Sequence, residues 1–280
     1  MSTKHEPKDS SLSKTSTVLD VVQFTDSHIL GDPHARFLGV DTFLTLQQVV
    51  KQSLLRDSLP SCYLLTGDLS QDETEESYRR LEEVVRSLKT SVHYIPGNHD
   101  SRQFMQTALN LTNISDQFFS HFVLENWLLI MMDSLVEHEV YGRLENAQLE
   151  MLSKVLQNHV NNHVLISLHH HVMPSGSQWL DQNGLRNTED FWNVIDCHKQ
   201  VKLVLSGHIH QQSESKRKGV YYLTSPSTCI QFARGSEKFK IDLVPPGYRW
   251  MKLYPDGLWE TGVEFLPSIA AGLDMASSGY

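Results

Sequence analysis

The stretch Ile95-Pro96-Gly97-Asn98-His99-Asp100 follows Leu65-Thr66-Gly67-Asp68 in the chain, and the two share one pattern. In each, an apolar run (residues 62–65 and 92–95) stops at a glycine-containing turn that at once presents side chains able to hold a metal. Glycine lets the backbone bend at positive φ or approach a ligand closely, so the next side chain can point into a crevice and not along the sheet. The pattern recurs at Thr25-Asp26-Ser27-His28, at Ser167-Leu168-His169 and at Leu205-Ser206-Gly207-His208-Ile209-His210. Five strand-like runs that end in Asp, Asn or His are expected to converge in one sheet on a metal centre.

Working outward, residues 1–17 are rich in Ser, Thr and Lys without periodicity and read as a flexible tail. Residues 18–25 read as the first strand. Residues 41–57 read as a helix, with Phe43, Leu46, Val50 and Leu54 at helical spacing and Asp41 as N-cap. A strand at 62–65 precedes a helix at about 74–88, for which Asp72 and Glu75 resemble a capping arrangement. Further strands are expected at 92–95, 121–124, 127–132, 164–168 and 201–205, and helices at 103–109, 146–156 and 188–196, with 121–124 and 127–132 antiparallel. The long irregular segment 172–187 reads as a binding element. Beyond residue 210 the pattern turns to β, at 221–223, 239–243, 248–254 and 258–265, separated by turns such as Pro245-Pro246-Gly247. The order implies an α/β layered sandwich with mixed sheets and a β-rich C-terminal portion, residues 18–280 forming one domain.

The chain of 280 residues and 32.0 kDa can bury a full core. A net charge of -9 repels a polyanion, which disfavours nucleic acid as a partner and leaves room for a small phosphate ester drawn to a local cationic centre. Three cysteines with no C-x-x-C spacing read as reduced thiols, and neither a signal peptide nor an apolar run of membrane-spanning length is evident, so a cytoplasmic protein is expected. The 15 histidines stand out, because imidazole is the commonest metal ligand.

The candidate ligands are Asp26, His28, Asp68, Asn98, His169, His208 and His210. This mixed nitrogen and oxygen set suits Fe, Mn or Zn. A shared carboxylate, assigned to Asp68, allows two divalent ions about 3.5–4 Å apart, the arrangement used on phosphate esters, in which the pKa of a bound water falls from 15.7 towards roughly 7. His99, beside a ligand and not needed as one, is the natural general acid, with Asp100 to fix its tautomer. Taken singly, each Asp or His after a strand reads as a turn or cap residue; the ordered combination carries the assignment. His170 and His171 keep a structural reading, and His5, His34, His159, His163 and His198 read as surface residues.

The set Asp26-x-His28, Gly67-Asp68, Gly97-Asn98-His99-Asp100, His169 and Gly207-His208-x-His210 resembles the calcineurin-like metallophosphoesterase family. The resemblance implies a four-layer α-β-β-α sandwich with a dinuclear centre, one ion on Asp26, His28, Asp68 and His210 and the other on Asp68, Asn98, His169 and His208. Within that family the stretches at 168–171, 177–181, 185–187, 224–229, 246–249 and 278–280 are similar to the bacterial class III cyclic AMP phosphodiesterases. That similarity implies hydrolysis of 3',5'-cyclic AMP to AMP with Fe and/or Mn, with Asp68, His99 and Asp100 catalytic and His28, Asp68, Asn98, His99 and His210 on the phosphate. Asp100 stands where many members carry Glu, and Val172 where the motif usually has Pro; His169, which directly ends its strand, is taken as the ligand over His170. A same-fold phosphoesterase acting on a nucleotide-sugar or dinucleotide pyrophosphate is the alternative, and a scaffold with a lost site a more distant one. Specificity is expected in residues 172–187 and the C-terminal β portion, where Trp179, Arg186 and Asn187 could meet a base or ribose.

Overall fold

The computed structural model describes residues 17–111 and 119–279, so the N-terminal tail up to residue 16, residues 112–118 and Tyr280 lie outside the described residues. Strands β1 (Leu19–Phe24), β2 (Cys62–Thr66) and β3 (Ser91–Ile95) run parallel and alternate with helices α1 (Thr42–Ser53), α2 (Glu75–Val85) and α3 (Arg102–Ala108). The second half begins with the antiparallel pair β4 (Ser120–Leu124) and β5 (Trp127–Met132). It continues through α4 (Asn146–Asn158), β6 (His163–Leu168), α5 (Gln178–Asp181), α6 (Thr188–Asp196) and β7 (Val201–Ser206), with β5, β6 and β7 parallel.

Strands alternate their side chains between faces, and that alternation divides the core into layers. From β1, Val22 and Phe24 pack with Leu46, Val49, Tyr78 and Leu81 of α1 and α2. Leu19 and Val21 point the other way and meet Leu64, Leu129, Leu165 and Leu205, a layer shared by two sheets. On the outer face of the second sheet, Ile130, Val164 and Ile166 pack on Leu152 and Leu156 of α4 and Phe191 and Ile195 of α6. Helix, sheet, sheet, helix is the expected four-layer sandwich.

The β-rich C-terminal portion is divided between the sheets. β8 (Ser213–Arg217) and β9 (Val220–Thr224) complete the second sheet, in the order β4-β5-β6-β7-β9-β8, while β10 (Gln231–Phe232) and β11 (Ile241–Asp242) form a small ribbon. β12 (Gly247–Leu253) then returns to lie antiparallel beside β1, and β13 (Trp259–Phe265) closes the first sheet, in the order β13-β12-β1-β2-β3.

Local readings need correction at four places. The expected strand at 239–243 shrinks to β11, and α1 stops at Ser53 instead of running to 57. The N-cap of α2 is Thr74, whose side chain accepts from the Ser77 N–H; Asp72 instead accepts from the Gly31 N–H at 2.8 Å and the Thr74 hydroxyl at 2.8 Å. β8 had no apolar signal to announce it, because Ser-Glu-Ser-Lys-Arg is a charged edge strand. It turns into β9 through Lys218 and Gly219, both at positive φ, as a tight hairpin requires.

Candidate metal centre

The five site-bearing segments do not leave one sheet, as expected, but the same end of two facing sheets. β1, β2 and β3 deliver Asp26, His28, Asp68, Asn98 and His99; β6 and β7 deliver His169, His208 and His210. The turns are zipped together in pairs beyond the strands. Asp26 N–H donates to Gly67 O and His28 N–H to Asp68 O, each at 2.9 Å, and Gly207 N–H donates to His169 O at 3.1 Å.

These turns are held in an unfavourable backbone conformation. Asp26 (φ 55°), His28 (φ 47°), Asp68 (φ 49°), His208 (φ 67°) and His210 (φ 47°) are all left-handed, each at a cost of about 1 kcal/mol or more. Two glycines make the close approach possible. A side chain on Gly67, itself at φ 92°, would strike the His169 ring, and one on Gly97 would strike Asp68.

The resulting cluster is dry and rich in donor atoms. Asp26, His28, Asp68, His169 and His210 are at most 1% exposed. Asp68 sits at its middle: Oδ1 accepts the His99 N–H at 2.9 Å, while Oδ2 lies 3.2 Å from His169 Nε2 and 3.8 Å from His28 Nε2. Asp26 Oδ1 lies 3.5 Å from His210 Nε2 and accepts the His208 N–H at 2.9 Å. His28 Nε2 and His210 Nε2 face each other at 3.2 Å.

Three of the imidazoles are oriented from behind. Nδ1 of His28 pairs with Gln71 Oε1 at 2.6 Å, Nδ1 of His169 with Thr66 O at 2.8 Å and Nδ1 of His210 with Ile230 O at 2.9 Å. With Nδ1–H donating outward, each Nε2 lone pair points into the cluster, the arrangement that metal-binding histidines adopt. Flat aromatic faces add support, Phe37 stacked on His28 at 4.6 Å and Phe232 on His210 at 4.1 Å. Sequence reading missed Gln71, Phe37 and Phe232, because their roles arise from contacts between segments remote in the chain.

The charge distribution favours a cation. Burial alone would raise the Asp68 pKa, but His169, His99 and His28 hold it well below the usual carboxylate range. Against its own burial, His169 is pushed up to about 9 by the Asp68 carboxylate, so its Nε2 would release a proton on binding a cation. Burial keeps His28 and His208 well below the ordinary imidazole value, and hence neutral and able to coordinate.

Fit to metal can be judged from what the protein leaves unsatisfied. Among the described residues, Asn98 Oδ1, His169 Nε2 and both ring nitrogens of His208 are buried without a hydrogen-bond partner. Such groups are rare and call for an explanation; a metal would supply one, and the ligand atoms of His169 and His208 lie within 4.8 Å of each other and of one of His170. Ligand atoms of Asp26, His28 and His210, of Asp26, Asp68 and His169, and of His28, Asp68 and His99 lie within 4.8 Å of one another in each group. The residues fit a dinuclear centre.

Their neighbours divide into those turned towards the cluster and those occupied elsewhere. Both His170 nitrogens are engaged, Nδ1 with Ser134 Oγ at 2.8 Å and Nε2 with Val140 O at 3.1 Å, whereas His169 Nε2 is free to bind. Asp100, expected to orient the His99 ring, is instead a clamp between turns. It accepts the Leu69, Ser70 and Gly97 N–H groups and the Tyr78 hydroxyl, thereby fixing the backbone on either side of the centre. Of the expected specificity residues, Asn187 spends its amide on both backbone groups of Leu144 and Trp179 packs edge-on against Phe232 and Phe239. Arg186 remains exposed, stacked over Tyr141 at 4.4 Å.

Comparison with known proteins gives a consistent picture. A family profile described as calcineurin-like phosphoesterase matches residues 20–212. The 3',5'-cyclic adenosine monophosphate phosphodiesterase CpdA of Pseudomonas aeruginosa is 36% identical over 93% of this chain and 94% of its own. A 3',5'-cyclic-nucleotide phosphodiesterase of Nostoc sp. is 41% identical over 89% of this chain and 93% of its own. Among solved structures, a dimetal phosphatase from Danio rerio superposes with a TM-score of 0.64 at 17% identity, covering 84% of this chain and 95% of that one, a likeness of fold. Among the described residues no helix is long and apolar enough to cross a membrane.

Proposed function

The chain belongs to the calcineurin-like phosphoesterase family, and from that premise we propose that it hydrolyses 3',5'-cyclic AMP to 5'-AMP in the cytoplasm, residues 18–280 acting as one domain. The observation that carries this reading is the crowding of ligand atoms from Asp26, His28, Asp68, His169 and His210 into overlapping groups of three, in a chain whose relatives are named for cyclic nucleotide phosphodiesterase activity. Asp26, His28, Asp68 and His210 would hold one divalent ion and Asp68, Asn98, His169 and His208 the other, Fe and/or Mn by the mixed nitrogen and oxygen donors. Bound there, such ions supply Lewis acidity towards the phosphate and lower the pKa of coordinated water.

The chain's own residues do the rest. Asp68 turns Oδ2 towards both His28 and His169, which belong to different proposed cation positions, and its Oδ1 fixes the backbone of His99. His28, Asn98 and His210 border the place where phosphate oxygens would lie. His99 is half-buried, edge-on to the His28 ring at 5.1 Å, and so reaches the rim of the centre. As water adds to phosphorus, losing a proton to solvent, and the P–O3' bond breaks, His99 gives its proton to O3', which leaves as the ribose hydroxyl. Asp100 supports this step through the backbone of the turn.

The test is a side-by-side panel of cyclic AMP, cyclic GMP and a nucleotide-sugar diphosphate, with metal content measured on the same sample. Turnover led by cyclic AMP at close to two metal equivalents is the expected result. Preference for the diphosphate would reassign the substrate within the same fold, and protein purified natively without metal would remove the catalytic reading.

A further inference from the structure

We propose that Arg249 is a positioning residue for this centre, pinning together the two sheets whose strand ends supply its ligands; the proposal rests on the reading of the cluster as a two-cation site.

The layer between the sheets is apolar along most of its length and changes character at one level. The residues of the first sheet that face the second run Leu19, Val21, then Gln23 on β1; Cys62, Leu64, then Thr66 on β2; and Leu253, Met251, then Arg249 on the antiparallel β12. On three neighbouring strands the polar residue falls at the site end. Gln23 leads into Asp26 and Thr66 into Asp68, and Arg249 is paired in register with Gln23.

Hydrogen bonds carry this level across to the second sheet. Arg249 Nη2 donates to Thr224 O at 2.7 Å, Nε to Ser225 Oγ at 3.1 Å and Nη1 to the Thr261 hydroxyl of β13 at 3.0 Å. The Ser225 hydroxyl donates in turn to Gln23 Oε1, and Gln23 Nε2 donates to Thr66 Oγ1 at 2.7 Å. Thr66 O is the acceptor that orients His169. An unbroken chain of bonds thus joins the Arg249 fork to a candidate ligand.

Arg249 is 2% exposed, and among the described residues no carboxylate lies within ion-pair distance of it. Burying such a charge disfavours folding, and burial pulls its pKa down to about 10, which leaves it charged at neutral pH. Met251 and Leu253 on the same strand show that an apolar side chain fits this layer. What the guanidinium adds is a rigid planar fork that bonds in several directions at once, which a lysine cannot reproduce. The geometry that needs such a pin is plain, since each proposed cation takes ligands from both sheets. A small slide between the sheets would part Asp26 and Asp68 from His169, His208 and His210.

The experiment titrates Mn2+ into the metal-stripped full-length chain by calorimetry, with electron paramagnetic resonance to detect coupling between two ions. Variants are Arg249→Met, Arg249→Lys and, against failure of those to fold, Ser225→Ala, which breaks the same chain of bonds from the other sheet. Met251→Ala, in the same layer of the same strand, controls for loss of stability alone. The expected result is Mn2+ affinity weakened about 10–100-fold in Arg249→Met, little rescue by Arg249→Lys, weakened coupling in Ser225→Ala, and wild-type affinity in folded Met251→Ala. Wild-type affinity and coupling in both Arg249→Met and Ser225→Ala, or equal weakening in Met251→Ala, would overturn the pin. Wild-type protein that takes up no Mn2+ would overturn the two-cation reading along with it.

Discussion

Where β1 and β5 begin and β12 ends, Leu19, Trp127 and Leu253 close the space between the sheets, and the Trp127 indole N–H finds its acceptor in Tyr254 O at 2.8 Å. Where the same sheets open into turns, the space is lined by two buried carboxylates, imidazoles with unpartnered nitrogens and five residues in left-handed backbone conformations. One end gathers apolar surface out of water in relaxed strands; the other spends part of that stability on strain and desolvated charge. The difference teaches that residues at the two ends should fail in different ways when altered, one set losing the fold and the other losing the metal or the chemistry.

The largest effect is expected at Asp68. Asp68→Ala removes the carboxylate whose Oδ2 lies beside His28 and His169, one from each proposed cation position, so the variant should fold and yet lose both equivalents of metal. Its activity should fall further than the roughly 10^4-fold that removal of a general acid can cost. Metal analysis on purified variant checks this directly, and retention of both ions would remove Asp68 from its central place. His99→Ala should break the pattern in a narrower way, keeping both metals while kcat drops by about 10^2–10^4-fold. Because the proposed task of His99 is to protonate the departing oxygen, the deficit should shrink on a phosphodiester with a p-nitrophenoxide leaving group. Equal losses on both substrates would mean that His99 acts otherwise.

How far each end could be read from the sequence follows the same division. The site end was legible because its signal is local: glycine followed by Asp, Asn or His directly after an apolar run, repeated along the chain. The layers were legible from alternation, as in Val22 and Phe24 against Leu19 and Val21. What could not be read was set by contacts across the fold. Nothing near Gln71 in the chain announces that it holds His28, and the adjacency of Asp100 to His99 suggested a ring contact, whereas the carboxylate turns back to three backbone N–H groups and Tyr78. The division of the ligand-bearing strands between the two sheets likewise depended on how strands pair, which a strand's own residues do not specify.

The apolar end offers the converse test. Trp127 is among the largest fully buried side chains, and Trp127→Ala should destabilise the protein by about 3–5 kcal/mol through lost burial and the cavity left behind. The molecules that remain folded should bind Mn2+ as the wild type does. Urea denaturation paired with a Mn2+ titration reads both quantities, and a loss of affinity on the scale of Asp68→Ala would show that the two ends are not separable in this way.

A smaller and pH-dependent effect is expected at His93, on β3 at the edge of the first sheet, whose ring stacks at 3.7 Å on Phe122 of β4 at the matching edge of the second. Burial lowers its pKa from the ordinary 6.5 to about 4. The folded protein therefore resists protonating His93 while the unfolded chain does not. Its contribution to stability is fully present above about pH 6.5 and is lost as pH falls towards 4. A shift of that size on a dry group corresponds to about 3 kcal/mol, and partial contact with water reduces it to about 1–2 kcal/mol. His93→Phe keeps a flat ring against Phe122 and removes the titration. Its stability curve should accordingly track the wild type near neutrality and rise above it on acidification, with Mn2+ affinity at pH 7 unchanged. Urea midpoints measured from pH 7 to pH 4 decide the matter: curves that stay parallel throughout would mean that the clasp between the sheet edges does not depend on a neutral imidazole.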